Sequence, residues 1–150
     1  MKIKTIDATP LQLDWLVATL EDWEPRCTTY PWDNSVHVTY WIPGPSGGGR
    51  HKPIAPTVIW EQGGPIIKRE KIELIPPKDD SDPDWMAVWL NSDDAEAGIQ
   101  NGPTPLVAAM RCYVASKLGD VVDVPQELVL TIQAKEALNA EYGPLGEPQR

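Results

Sequence analysis

From Gly102 to Gly119 the chain reads Gly-Pro-Thr-Pro-Leu-Val-Ala-Ala-Met-Arg-Cys-Tyr-Val-Ala-Ser-Lys-Leu-Gly, with a start signal, a stop signal and only two charges between them. Such a segment folds as a buried helix and needs neighbours on most sides. Thr104 is placed to cap the free N–H groups of the first turn. Pro105 occupies a position where a missing N–H costs nothing, and Gly119 can take the left-handed conformation that ends a helix. At 100° per residue, Leu106, Val107, Met110, Tyr113, Val114 and Leu118 form a face of large side chains, and Ala108, Ala109, Cys112, Ala115 and Ser116 a face of small ones. The large face is expected to cover a sheet. The small face is expected to admit a second helix, from this chain or from a second copy in a homodimer.

The remaining 132 or so positions must supply those neighbours. With 16 Pro and 11 Gly in 150 residues, the chain turns too often for a helical bundle. One hydrophobic core is the default at this length. Seven Trp and no Phe place a polar N–H on nearly every large aromatic ring, so several rings should lie at the surface rather than in the core. Thr9 and Pro10 repeat the cap-then-proline signal, and Leu13, Leu16, Val17 and Leu20 follow at helical spacing with Asp14, Glu21 and Asp22 expected on the outside. That helix should stop near Trp23 to Pro25.

Extended structure is expected at Met1–Ile6, Val36–Ile42, Thr57–Trp60, Ile66–Ile75 and Trp85–Leu90, with a short extended exit at Val121–Val124. Gly63-Gly64-Pro65 reads as a tight turn, and Pro43–Pro53, with its three consecutive glycines, as a mobile loop. Both faces of Trp85–Leu90 are apolar, which makes it a central strand. The fold expected is α+β: an antiparallel sheet of four to five strands packed by the Leu11 and Pro105 helices. Residues 1–128 form a single domain in this reading, and 129–150 a C-terminal helical extension with a frayed tail.

A formal charge of −9 argues against general nucleic-acid binding, which needs a basic surface to displace counterions from phosphates. No run approaches the length that spans a bilayer, and Met1–Asp7 lacks the apolar core of a signal peptide. Cys27 and Cys112 are read as reduced, in keeping with a cytosolic protein. Arg26 is placed to lower the pKa of the Cys27 thiol. The sequence has no phosphate-binding loop, no serine-hydrolase elbow and no Cys/His cluster with zinc spacing, so no catalytic residue, metal ligand or cofactor is assigned. Asp79, Asp80, Asp82 and Asp84 lack the glycine and terminal glutamate of a calcium loop and read as a solvated acidic turn.

Two regions stand out as ligand-binding candidates. One is Trp60-Glu-Gln-Gly-Gly-Pro-Ile-Ile-Lys-Arg-Glu70, where Trp60, Gly63, Gly64, Arg69 and Glu70 combine an indole, backbone amides free of side chains, and charge. A structural turn is the competing reading. The other is Arg111, with Thr104 at the start of its helix. A guanidinium on so apolar a helix needs a carboxylate such as Asp84 or Glu70, a cluster of carbonyls, or a bound anion. Lys117 fits the helix dipole in the last turn.

The blocks Trp60–Ile72, Gly102–Asp120 and Val124-Pro-Gln-Glu-Leu128, with a looser match at Leu11–Leu20, resemble the NinX-like family of small phage and prophage proteins. The resemblance implies a phage or prophage origin and a host-cytoplasmic setting, and it carries over no catalytic residues. The leading expectation is an accessory protein that binds in the host cytosol, sequestering a small anionic or nucleotide-like ligand. In that reading Trp60 stacks on a base, the Gly63 and Gly64 amides meet phosphate, and Arg69 or Arg111 neutralises charge. The alternative is a protein-binding module, with exposed tryptophans as anchors and the acidic surface steering it toward a basic host protein. A third is a small enzyme on a nucleotide substrate, drawing on Glu70, Asp84, His37 and His51.

Overall fold

The computed structural model describes residues 1–90 and 98–129. Its element order is β1 (Lys2–Lys4), a 3-10 turn (Thr5–Asp7), α1 (Pro10–Leu20), β2 (Arg26–Thr29), β3 (Val36–Pro43) and β4 (Gly49–Pro53), then α2 (Trp60–Glu70), β5 (Glu73–Ile75), β6 (Trp85–Trp89), β7 (Gly98–Gly102), α3 (Pro105–Leu118) and β8 (Val121–Asp123). The fold is α+β and all strand pairing is antiparallel. The strands divide into three small sheets, β1–β8, β2–β3–β4 and β5–β6–β7, where one sheet was expected. The sequence reading did not anticipate β7.

Helix α3 is the centre of the molecule. Leu106 to Met110 and Cys112 to Val114 are buried, against Leu13, Leu16 and Val17 of α1, Ile66 of α2, and Ala87 of β6. The Thr104 hydroxyl accepts from Val107 N at 3.2 Å, as the start signal requires. At the other end Gly119 takes φ 88° with an extended ψ of −166°, which turns the chain into β8 rather than closing a left-handed cap. The Gly119 carbonyl then accepts from the Thr5 hydroxyl at 2.7 Å, and the Met1 amino group donates to Val124 O at 2.9 Å. The chain's first residues are thereby pinned beside the end of α3.

The small face of α3 has a neighbour other than the one expected, and the large face has two. Gly102 of β7 lies against the small face so closely that a Cβ there would meet Ala108 N at 2.6 Å. The Cys112 thiol lies 3.8 Å from Gly98 O on the same strand. Small side chains let the sheet backbone, rather than a second helix, approach. The large face meets both sheet and helix: Val107 lies against Gly102 of β7, and Leu106 reaches α2 at Gly63. Because β7 covers the small face, that face no longer argues for a second copy.

Helix α1 opens with a capping box, Thr9 N donating to Gln12 Oε1 at 3.0 Å and Gln12 N to Thr9 Oγ1 at 3.3 Å. It ends at Leu20, a few residues earlier than expected, and Asp22 and Glu24 follow at positive φ. A second apolar cluster of Ala18, Val38, Ile54 and Leu128 joins α1 to the β2–β3–β4 sheet, bordered by Trp15 and Trp23. The segment read as a loop, Pro43–Pro53, is the end of a hairpin in which Trp41 pairs with His51 and Pro43 with Gly49. Pro43 and Pro53 sit at strand ends, where a missing donor is tolerated, and Pro45 lies in the turn between them. Residues 126–129 are helical, and the expected extension over 130–150 lies outside the described residues. All seven tryptophans are half-buried or exposed.

The largest correction concerns Thr57–Ile75. Thr57 and Val58 lie in a turn, and Trp60 to Glu70 is a helix with Gly63-Gly64-Pro65 inside it, where a turn and a strand were expected. Only Glu73–Ile75 of the predicted strand is extended.

Candidate functional site

Gly63 explains why a Gly-Gly-Pro run is helical here. A Cβ at this position would lie 2.5 Å from Pro56 O and 2.7 Å from Leu106 Cδ2, so the residue is glycine because α2 presses on the start of α3. Its amide donates to Ile59 O at 3.0 Å and is committed to the helix. At Gly64 the nearest atom to such a Cβ is in the Trp60 indole, 3.9 Å away. Tertiary contact outweighs the weak helix propensity of this stretch.

This packing brings the first turns of α2 and α3 to one place. Thr57, Val58 and Trp60 from the α2 side and Thr104, Pro105 and Leu106 from the α3 side line an open cleft of about 230 Å³. Val58 and Trp60 are 70% and 54% exposed. The turn that carries them is anchored from below: Asp14 Oδ1 accepts from Thr57 N at 3.0 Å and Thr57 Oγ1 at 2.8 Å. Asp14, expected on the outside of α1, is buried. Burial lifts its carboxyl to about 7, and the two hydrogen bonds only partly oppose that rise.

The opposite end of α2 holds a separate polar cluster. Arg69 makes a two-pronged contact with Glu21, through Nη1 to Oε2 at 3.1 Å and Nη2 to Oε1, and its Nε donates to Glu70 Oε1 at 3.1 Å. The Tyr113 hydroxyl donates to Glu21 Oε1 at 2.9 Å and accepts from Arg69 Nη2 at 3.3 Å. Lys117 Nζ lies 3.3 Å from Glu70 Oε2. Two cations face two carboxylates, and the three helices are tied together. Burial pushes the Tyr113 hydroxyl up to about 12, and Glu21 adds to the effect. The phenol keeps its proton and spends it on the Glu21 carboxylate.

The sequence-predicted residues therefore divide into groups. Trp60 and Thr104 come together at the cleft. Gly63 lies buried beneath it and Gly64 behind Trp60. Arg69 and Glu70 stand at the far end of α2, nine residues or roughly 13 Å along the helix axis from Trp60. Arg111 stands apart from both: its Nη1 donates to Asn101 O at 2.8 Å and its Nη2 to Ala8 O at 3.0 Å, with Nε buried and unpaired. Backbone carbonyls, one of the three kinds of partner expected, hold its Nη groups; Asp84 and Asp7 act on it only through their charge. Asp14, Val58 and Tyr113 are contributors that the sequence reading missed. An aspartate on a polar-looking helix stripe and a valine in a presumed strand carry no local signal of these roles.

Ser35 Oγ lies 2.9 Å from His37 Nε2, the spacing of a nucleophile and its base, and 2.7 Å from Asp33 Oδ1. The Ser35 hydroxyl donates to the Asp33 carboxylate, so its proton is directed away from His37. His51 contacts Thr39 Oγ1 at 3.2 Å through Nδ1. The Cys27 thiol is raised by burial and by the charge of Glu127, not lowered by Arg26, and burial raises Cys112 to about 11. No group of metal-ligating side chains occurs among the described residues. No helix among them is long and apolar enough to cross a membrane.

The family model described as bacteriophage P22 NinX matches residues 4–117, so the chain belongs to that family and is a phage accessory protein. The matched range extends from the end of β1 to the last turn of α3. Comparison with curated proteins gives no match.

Proposed function

We propose that this phage protein acts in the host cytoplasm as a protein-binding module, with the cleft at Trp60 taking an anchor side chain of a host protein. The observation that carries this reading is the exposure of Val58 and Trp60, 70% and 54%, on the rim of a cleft of about 230 Å³. Small-molecule sites usually enclose roughly 300–1,000 Å³ and bury most of their ligand. A smaller, open cleft beside an exposed indole suits one partner side chain, with the tryptophan as a hot spot. The −9 charge favours encounter with a basic partner.

Nucleotide sequestration draws less support, because its parts are apart or already engaged. The Gly63 amide is bonded within α2, Arg69 is held by Glu21 and Glu70, and Arg111 is held by two carbonyls. The first turns of α2 and α3 both border the cleft, which favours a small anion as the second reading. Thermal-shift measurements with phosphate and a nucleotide panel test that reading, and flat responses remove it.

The main reading is tested by pull-down from host lysate with tagged wild-type protein and Trp60→Ala, checking that both keep the same circular dichroism. A partner retained by the wild type and lost by the variant is the expected result. A partner held equally by both, or none held at low salt, overturns it.

A further inference from the structure

The outer face of the β5–β6–β7 sheet carries four apolar side chains, Ile75, Met86, Val88 and Ile99, of which Met86 and Ile99 are exposed. Ala87 is fully buried, and Trp85 and Trp89 pack on the same core beside α3. Because side chains alternate along a strand, Met86 and Val88 point the other way. Ile75 pairs with Met86 and Val88 with Ile99, so these four side chains share the outer face with Glu73, opposite Val88, and Asn101, opposite Met86. Met86 is 36% exposed and Ile99 54%. Apolar side chains grouped and exposed on a sheet face mark interaction surfaces.

The patch has a charged border on one side. Between Glu73 and Asp84 the chain has five acidic residues and one lysine. A cleft of about 220 Å³ is lined by Ile75, Pro77 and Met86 together with Lys78, Asp79, Asp82 and Asp84, so aspartates outnumber the one lysine. We propose that this face docks a basic amphipathic segment of a partner protein, whose apolar side chains cover Met86, Val88 and Ile99 while its lysines or arginines meet the aspartates. Charge selects this occupant over the others. A second copy related by a two-fold axis would bring acidic rim against acidic rim. Anionic lipid and polynucleotide are repelled by the same border. The surface is distinct from the Trp60 cleft, so the two proposals stand or fall separately.

The test is fluorescence anisotropy of a labelled amphipathic Leu/Lys peptide against the full chain, with a Leu/Glu peptide of the same pattern as control. Amide and methyl shifts mapped by NMR locate the binding face. The Leu/Lys peptide is expected to bind and to shift Ile75, Met86, Val88 and Ile99. Ile99→Ala is expected to weaken it about tenfold. Asp82→Asn with Asp84→Asn should weaken it several-fold and flatten its salt dependence. Trp60→Ala should leave it unchanged. Equal affinity for the Leu/Glu peptide, shifts confined to another face, or insensitivity to Ile99→Ala overturns the proposal. Self-association of the free protein abolished by Ile99→Ala overturns it in favour of a second copy. Binding of phosphatidylglycerol vesicles through the same residues overturns it in favour of a membrane.

Discussion

Asp14 and Thr57, 43 residues apart in sequence, share two hydrogen bonds on one carboxylate oxygen: Thr57 N donates at 3.0 Å and Thr57 Oγ1 at 2.8 Å. The pair joins the buried side of α1 to the turn that presents Val58 and Trp60. It also places an ionisable group where water does not reach.

Burial raises the Asp14 carboxyl from 3.8 to about 7 in the folded protein. An acid raised on folding binds its proton more tightly in the folded state. Its contribution to stability is therefore greatest below about pH 4 and is lost as the pH rises toward 7. Asp14→Asn keeps an acceptor for Thr57 and removes the titration. The difference in unfolding free energy between variant and wild type should grow in the variant's favour from pH 4 to 7, by at most about 4 kcal/mol. Urea titrations at several pH values measure this, and a difference independent of pH would contradict the buried ionisation.

Glu21 works in the opposite sense. Burial raises its carboxyl, but the hydrogen bonds from Arg69 and Tyr113 outweigh burial and the group titrates below its usual 4.5. Its contribution is present above that pH and fades on acidification. Tyr113→Phe removes one donor from Glu21 and should cost about 1 kcal/mol at neutral pH. Arg69→Met should cost less than that, because the half-exposed guanidinium is screened by solvent. Chemical denaturation of the two single variants and the double variant gives both values and their coupling.

The two neighbouring glycines should respond to alanine with opposite signs. Gly64→Ala meets only the Trp60 ring at 3.9 Å and should stabilise α2 by about 0.5–1 kcal/mol through helix propensity. Gly63→Ala meets Pro56 O at 2.5 Å and should destabilise by about 1–3 kcal/mol despite the same propensity gain. Melting temperatures that move in the same direction would show that α2 does not press on α3 at Gly63.

Thr104→Ala removes the hydroxyl that caps α3 at Val107 N and should cost about 1 kcal/mol. Thr104→Ser should restore most of it. Thermal unfolding of the two variants compares them directly.

The caps of α1 and α3, the stop at Gly119, the central position of β6 and the α+β class were legible in the sequence because each rests on local chemistry. A threonine before a proline reads the same way wherever the helix later packs. The partner of each surface was not legible. Gly63-Gly64-Pro65 has the local signature of a turn, and it is helical because α2 needs a residue without Cβ where it crosses Leu106. The small face of α3 specified a close neighbour, and only the packed structure made that neighbour β7. Asp14 looked like a solvent-facing residue until Thr57 came to meet it. Local sequence determined where helices begin and end. Close approach between segments distant in the chain decided which glycines are buried, which carboxylate is held away from water, and that Trp60 and Arg69 stand at opposite ends of one helix.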